Sequence, residues 1–117
     1  MWRVHVGKRP FSAENAWSRP WGEDGESVRG YSATTSPSNL VRYFQIHGGG
    51  LSDEAPIVAF EGAIVGVGPD NEPLAIPKRV IAWIRGRDLD DGILENEDDP
   101  VMLAYALTRL GSKRKRA

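Results

Sequence analysis

Phe11, Trp17, Arg19 and Trp21 lie close together in a stretch punctuated by Pro10, Pro20, Gly22 and Gly25. Tryptophan and arginine are the residue types most enriched at the energetic centres of protein contacts. The chemistry this stretch offers is therefore non-covalent recognition: flat apolar rings beside a guanidinium. The same rings have a second use, as a cover for the open face of a sheet. A second group is more dispersed. His5 stands near the start of the chain, a hydroxyl run Tyr31-Ser32-Ala33-Thr34-Thr35 follows, and Glu72 lies further on. A third group is the basic end, Lys113-Arg114-Lys115-Arg116, which suits phosphate neutralisation. It lacks interleaved aromatic residues for base stacking. The alternative is a solvated helix end.

Other chemistry is excluded or unsupported. The chain has no cysteine, so disulfides, thiolate nucleophiles and cysteine-ligated metal sites are absent. His5 and His47 are too far apart in sequence to suggest a metal site. Asp88-Leu89-Asp90-Asp91-Gly92 begins like a calcium loop, but Ile93 and Leu94 occupy positions where ligands would be needed. Gly48-Gly49-Gly50 is not followed by Lys-Ser/Thr, which excludes a phosphate loop. Neither a cofactor nor a metal is expected.

The elements that must position these residues can be read from periodicity and punctuation. Arg3-Val4-His5-Val6 alternates polar and apolar and predicts a first strand ending at Gly7. Residues 8–27 have no sustained period and predict a long loop pinned by aromatic anchors, with one helical turn near 12–17. Val28 to Thr35 predicts a second strand. Ser36-Pro37 then gives a helix start, and Leu40, Tyr43, Phe44 and His47 give one apolar face up to the triple glycine. His47 is expected to be half-buried near the helix end. Residues 57–84 predict a meander with a tight turn at Glu61-Gly62 and another at 69–72. Leu74-Ala75-Ile76, flanked by Pro73 and Pro77, is expected at an edge. The acidic segment 85–99 predicts a solvated connector. Asp99-Pro100 opens a second helix with Leu103, Ala104, Leu107 and Leu110 on one face, ending at Gly111.

The expected architecture is α+β, a small mainly antiparallel sheet packed by helices 37–47 and 100–110. One domain, 1–111, precedes a basic tail, 112–117. A hydrophobic fraction of 40% suffices for a core at this length, and the tryptophans suggest an aromatic-rich one. No apolar run approaches the length of a membrane span, and the first residues have no signal-peptide core. Cytoplasm is the expected location.

Two resemblances attach to these residues. Arg3-Val4-His5, Tyr31-Ser32-Ala33-Thr34-Thr35 and Glu72-Pro73-Leu74 resemble the motif order of ADP-ribosyltransferases. That resemblance implies that His5, Tyr31 and Thr34 hold a nicotinamide nucleotide and that Glu72 stabilises a developing oxocarbenium ion. Gly30-Tyr31-Ser32-Ala33, Leu40 to Phe44, Val58 to Gly62 and Arg79-Val80-Ile81 together resemble short uncharacterised domains of actinobacteria and their phages. That pattern implies a phage or prophage origin and no established activity. The leading expectation is a non-enzymatic binding or regulatory protein that works by protein–protein contact, with Phe11, Trp17, Arg19 and Trp21 as its surface. An ADP-ribosyltransferase-like protein is the second reading. A nucleic-acid-binding accessory using Lys113 to Arg116 is the third, although a net charge of −1 provides no general attraction to nucleic acid.

Overall fold

The apolar stretch after residue 56 is one long hairpin. The structure, a computed structural model, describes residues 1–6, 8–18, 27–90 and 92–115, with backbone alone for 111–115. Its elements are β1 (Trp2–Val4), β2 (Trp17–Ser18), β3 (Val28–Arg29), β4 (Tyr31–Ser32), α1 (Pro37–His47), β5 (Pro56–Val67), β6 (Pro73–Arg85), a 3-10 turn (Gly86–Asp90) and α2 (Pro100–Lys115). The architecture is α+β, with an antiparallel sheet in the order β1-β5-β6-β4 and a small β2-β3 ribbon.

The turn expected at Glu61-Gly62 does not form. Glu61 lies in register with Arg79 across the hairpin, and their side chains form an ion pair at 2.6 Å. Gly62 serves a different purpose: a Cβ there would lie 2.8 Å from the Ile76 carbonyl oxygen and 3.0 Å from the Phe60 ring. Glycine permits close packing of the two strands at this point. Pro77 pairs with Gly62 beside a register shift, so its missing N–H falls where the ladder is interrupted. The edge position expected for 74–76 is also overturned. Leu74 and Ala75 are paired on both sides, by β5 and by β4. The turn at 69–72 does form, closed by the Gly68 N–H donating to the Glu72 carbonyl at 2.8 Å, with Asn71 at φ 61.

Gly30 divides the strand expected over 28–35. Its φ of 109 turns the chain out of the β2-β3 ribbon and into the main sheet, and a Cβ there would meet Leu74 Cβ at 3.0 Å. Beyond Ser32 the chain reaches β1. Trp2 N–H donates to the Thr34 carbonyl and Thr34 N–H to the Trp2 carbonyl, both at 2.9 Å. This bridge joins the two outer strands, so the sheet curls round on itself. Register shifts along β5 increase the local twist that the curl needs.

Strand alternation sorts the core into two clusters. Val58 and Phe60 pack with Ala33 and Ala75 on one side, under Met1 and Phe11. Ile57 and Ala59 point the other way and join Trp2, Leu40, Ile84 and residues of α2. Among the described tryptophans only Trp2 is buried. Trp17 and Trp83 are exposed, so the buried aromatic residues of the core are Trp2, Tyr31 and Phe60.

The acidic connector is structured, and its carboxylates act as helix caps. Asp88 is buried and accepts from Arg85 N–H at 2.7 Å, next to the 3-10 turn. Glu97 accepts from the Ser38 N–H and hydroxyl at 3.0 and 2.7 Å, placing a negative charge at the start of α1, where α1 has no acid of its own. Ser36 Oγ caps the same helix, 3.2 Å from Asn39 N. Asp99 accepts from Val101 and Met102 N–H at the start of α2. Leu89 and Ile93, between these acids, are core residues. In α2 the buried face is Ala106, Leu107 and Leu110, with Leu103 half-buried and Ala104 exposed. The helix runs through Gly111 to Lys115, because an internal glycine costs only about 1 kcal/mol against alanine. His47 is exposed and leans on the Tyr43 ring at 4.6 Å; it is not half-buried.

Two substitutions test this fold. Ile93→Ala lowers unfolding free energy in urea by about 3 kcal/mol, as for a fully buried aliphatic residue, where a solvated connector would lose almost nothing. Gly30→Ala costs about 2 kcal/mol through its backbone conformation and its contact with Leu74.

Candidate functional site

Alternation along β1 turns Trp2 and Val4 towards the helices, and Arg3 and His5 towards the opposite face. There Arg3 spans to β4: its Nη1 donates to the Ser32 carbonyl at 2.9 Å, and its guanidinium lies 4.5 Å from the Tyr31 ring centre. Its Nε donates to His5 Nδ1 at 3.1 Å. Because Nδ1 accepts, the proton of neutral His5 sits on Nε2, which lies 3.2 Å from the Arg9 carbonyl and donates to it. His5 thereby ties the loop after β1 back to the sheet. Its ring meets Phe11 edge-on at 5.2 Å and Tyr31 at 5.4 Å, with Trp83 at 6.1 Å. Burial, above all, pushes the His5 pKa below its ordinary 6.5; the Arg9 carbonyl opposes this and the Arg3 charge adds to it.

Phe11 is an anchor. It stacks on Tyr31 at 4.8 Å and meets Phe60 edge-on at 4.9 Å. It therefore holds its loop against the sheet and offers little contact surface. Tyr31 is buried, its hydroxyl 3.3 Å from Ser12 N–H.

Glu72 lies elsewhere. Tyr31 and Ser32 are neighbours on β4 and point to opposite faces. Ser32 donates its hydroxyl to Glu72 Oε1 at 3.0 Å, while Asp70 N–H donates to Oε2 at 2.8 Å. Both oxygens of this carboxylate are thus engaged in holding the hairpin turn to β4. Thr34 donates its hydroxyl to the Ser36 carbonyl at 2.9 Å. Thr34 and Glu72, with Leu40, Tyr43 and Phe44, line a cavity of about 150 Å³ under α1. Next to it the Tyr43 hydroxyl donates to Asp70, and burial together with that carboxylate pushes its pKa above the ordinary 10.0. The structure brings His5 to Tyr31 and Thr34 to Glu72, and it sets these two pairs on opposite sides of β4. Among the described residues no group of three or more His, Asp or Glu is placed to hold a metal ion.

Of the described members of the aromatic set, Trp17 is the exposed one, at 52% of its full accessibility. Register in the β2-β3 ribbon places Arg29 opposite it, and the Arg29 guanidinium lies 5.1 Å from the indole centre. Arg29 is itself fixed by donating to the Ala16 carbonyl at 3.2 Å. Beside the indole is a recess of about 250 Å³ lined by His5, Val6, Lys8, Arg9, Asn15, Trp17 and Tyr31. Arg19 and Trp21 lie outside the described residues. Lys113, Arg114 and Lys115 form the last turn of α2; their side chains, and Arg116, also lie outside them.

Sequence reasoning gave Arg3 no role of its own here and missed Lys8, Arg9 and Arg29. The i, i+2 spacing of Arg3 and His5 on a strand was a usable signal, because it puts both on one face. The pairing of Arg29 with Trp17 had none, since it depends on ribbon register. Among the described residues no helix is long and apolar enough to cross a membrane. Compared with known proteins, the chain matches no family model, no curated protein and no solved structure.

The His5 geometry predicts an acid-sensitive fold. Unfolded His5 takes its proton near 6.5 and folded His5 only at lower pH, so acidification below 6.5 favours the unfolded chain. Wild-type urea midpoints fall between neutral pH and about pH 5. His5→Gln loses that component of the fall, and an unchanged pH profile in this variant would refute the assignment.

Proposed function

We propose that this chain is a non-enzymatic, cytoplasmic binding or regulatory protein that acts by protein–protein contact through the surface around Trp17. The observation that carries this reading is a half-exposed indole that is nonetheless held in place. The Arg29 guanidinium lies over Trp17, and the ribbon fixes its backbone. An exposed indole left free would gain rotational freedom. One braced in advance loses little entropy on binding and presents a large apolar face to a partner. Val6, 69% exposed, lines the same recess and extends the apolar area. Arg19 and Trp21, the other residues expected at this surface, follow closely in sequence.

The polar groups favour this reading over catalysis. Glu72 and Ser32 satisfy each other, Tyr31 is buried, and His5 is spent on holding a loop. None of these side chains is left oriented towards an open cleft with its reactive atom free.

The test is affinity capture from a lysate of the source cells with immobilised full-length protein, comparing wild type, Trp17→Ala and Ile46→Ala. Ile46 is an exposed apolar residue on α1 and serves as the control. The expected result is a specific protein retained by wild type and Ile46→Ala and reduced about tenfold or more by Trp17→Ala. Equal capture by all three proteins, or no specific capture, sinks the reading. Trp17→Ala itself costs less than about 1 kcal/mol of stability, because the indole is not in the core.

A further inference from the structure

Among the described residues, the charged side chains that line the Trp17 recess are basic. Lys8 and Arg9 line it, Arg29 lies over the indole, and Arg3 stands behind Tyr31. None of these four forms an ion pair with a described carboxylate. The ion pairs among the described residues are Glu61 with Arg79 and Glu54 with Arg85 and Arg87, all remote from the recess. Glu14 is a carboxylate of the same loop and is exposed. The other polar groups of the recess are largely used: Asn15 donates its amide to the Pro10 carbonyl, and His5 donates to Arg9. Lys8 and Arg9 are therefore the groups left to meet a ligand, and both are exposed.

Taking Trp17 as the contact site of the proposed function, the geometry points to an acidic peptide segment as what the partner presents there. Carboxylate side chains meet Lys8 and Arg9, and an apolar neighbour lies against Trp17 and Val6. Charge complementarity of this kind accelerates encounter and selects against basic partners. A single-stranded nucleic acid fits less well. Sequence-tolerant binding of that kind uses a row of aromatic platforms along a basic groove. Among the described residues that line the recess, Trp17 is the exposed indole: Tyr31 is buried, with Phe11 stacked on it.

The experiment measures fluorescence anisotropy with three labelled probes: a short peptide alternating glutamate and leucine, its lysine–leucine counterpart, and an oligothymidylate. Proteins are wild type, Trp17→Ala and the surface double variant Lys8→Glu/Arg9→Glu, whose fold is checked by circular dichroism. The double variant leaves the Arg9 carbonyl, and hence the His5 hydrogen bond, in place. The expected result is binding of the acidic peptide alone, weakened about tenfold or more by either variant, and weakened again between about 50 and about 500 mM salt. No binding of the acidic peptide overturns the inference, as does binding indifferent to the charge reversal or tighter binding of the oligothymidylate. The two readings fail separately. If a partner captured through Trp17 still binds Lys8→Glu/Arg9→Glu, the acidic-segment inference falls and the contact surface stands. If no Trp17-dependent partner exists, the contact surface itself falls.

Discussion

Two backbone hydrogen bonds between Trp2 and Thr34 hold the fold together. β1 has three residues and β4 has two, and strands so short have little stability of their own. Each is tied to the long β5-β6 hairpin on one side, and on the other side β1 is bridged through Trp2 to Thr34, two residues beyond β4. Closure supplies the missing cooperativity. Neither outer strand can leave without exposing backbone groups of both, and unpaired buried backbone groups are costly. The Trp2 indole, on the helix side, adds a buried apolar anchor at the same residue.

That closure also positions the chemistry. Because β1 is pinned beside β4, Arg3 reaches the Ser32 carbonyl and the Tyr31 ring together. Arg3 in turn fixes the tautomer of His5, and His5 holds the Arg9 carbonyl. The result is a relay of contacts from the sheet seam out to the loop that flanks Trp17. A proton added to His5 would put an N–H against the Arg3 N–H and a cation beside a cation, with Lys8 and Arg9 also near. The arrangement works only with neutral imidazole, which is why burial and the lowered affinity for a proton accompany each other here.

The sequence announced the elements that depend on local chemistry and concealed those that depend on register. Ser36-Pro37 and the triple glycine marked α1 to the residue, and Pro69 to Glu72 marked the hairpin turn, because caps and turns use particular residue types. Glu61-Gly62 misled because a glycine in an apolar run suggests a turn, while its actual function is close approach to the Ile76 carbonyl. Residues 85–99 misled because charge suggests solvent; yet Asp88, Glu97 and Asp99 are consumed as caps, and Leu89 and Ile93 pass into the core between them. For the candidate site, Trp17 was legible from residue type alone. That Glu72 and Tyr31 point to opposite sides of β4 was not, since the strand's limits had to be known before its alternation could be used.

Trp17 is not the only exposed apolar group, and its neighbours elsewhere help to define it. Ile64, Val65, Val67, Val80 and Ile81 are also exposed, along the hairpin. These follow from geometry. β1 edges β5 only along Ile57–Ala59 and β4 edges β6 only along Leu74–Ala75, so the rest of each outer edge carries no described strand. Such edges invite unwanted pairing, and this one carries the features that discourage it: register shifts, Pro77, Lys78 and the Glu61–Arg79 pair. The exposed hairpin is thus a consequence of strand length, fitted with safeguards against association. Trp17 carries no such safeguards. It sits on a two-residue strand, with the Arg29 guanidinium over it, at the rim of a recess where Lys8 and Arg9 form no ion pair with a described carboxylate. An exposed indole beside a guanidinium and two exposed basic side chains is the feature on which the proposed contact surface rests.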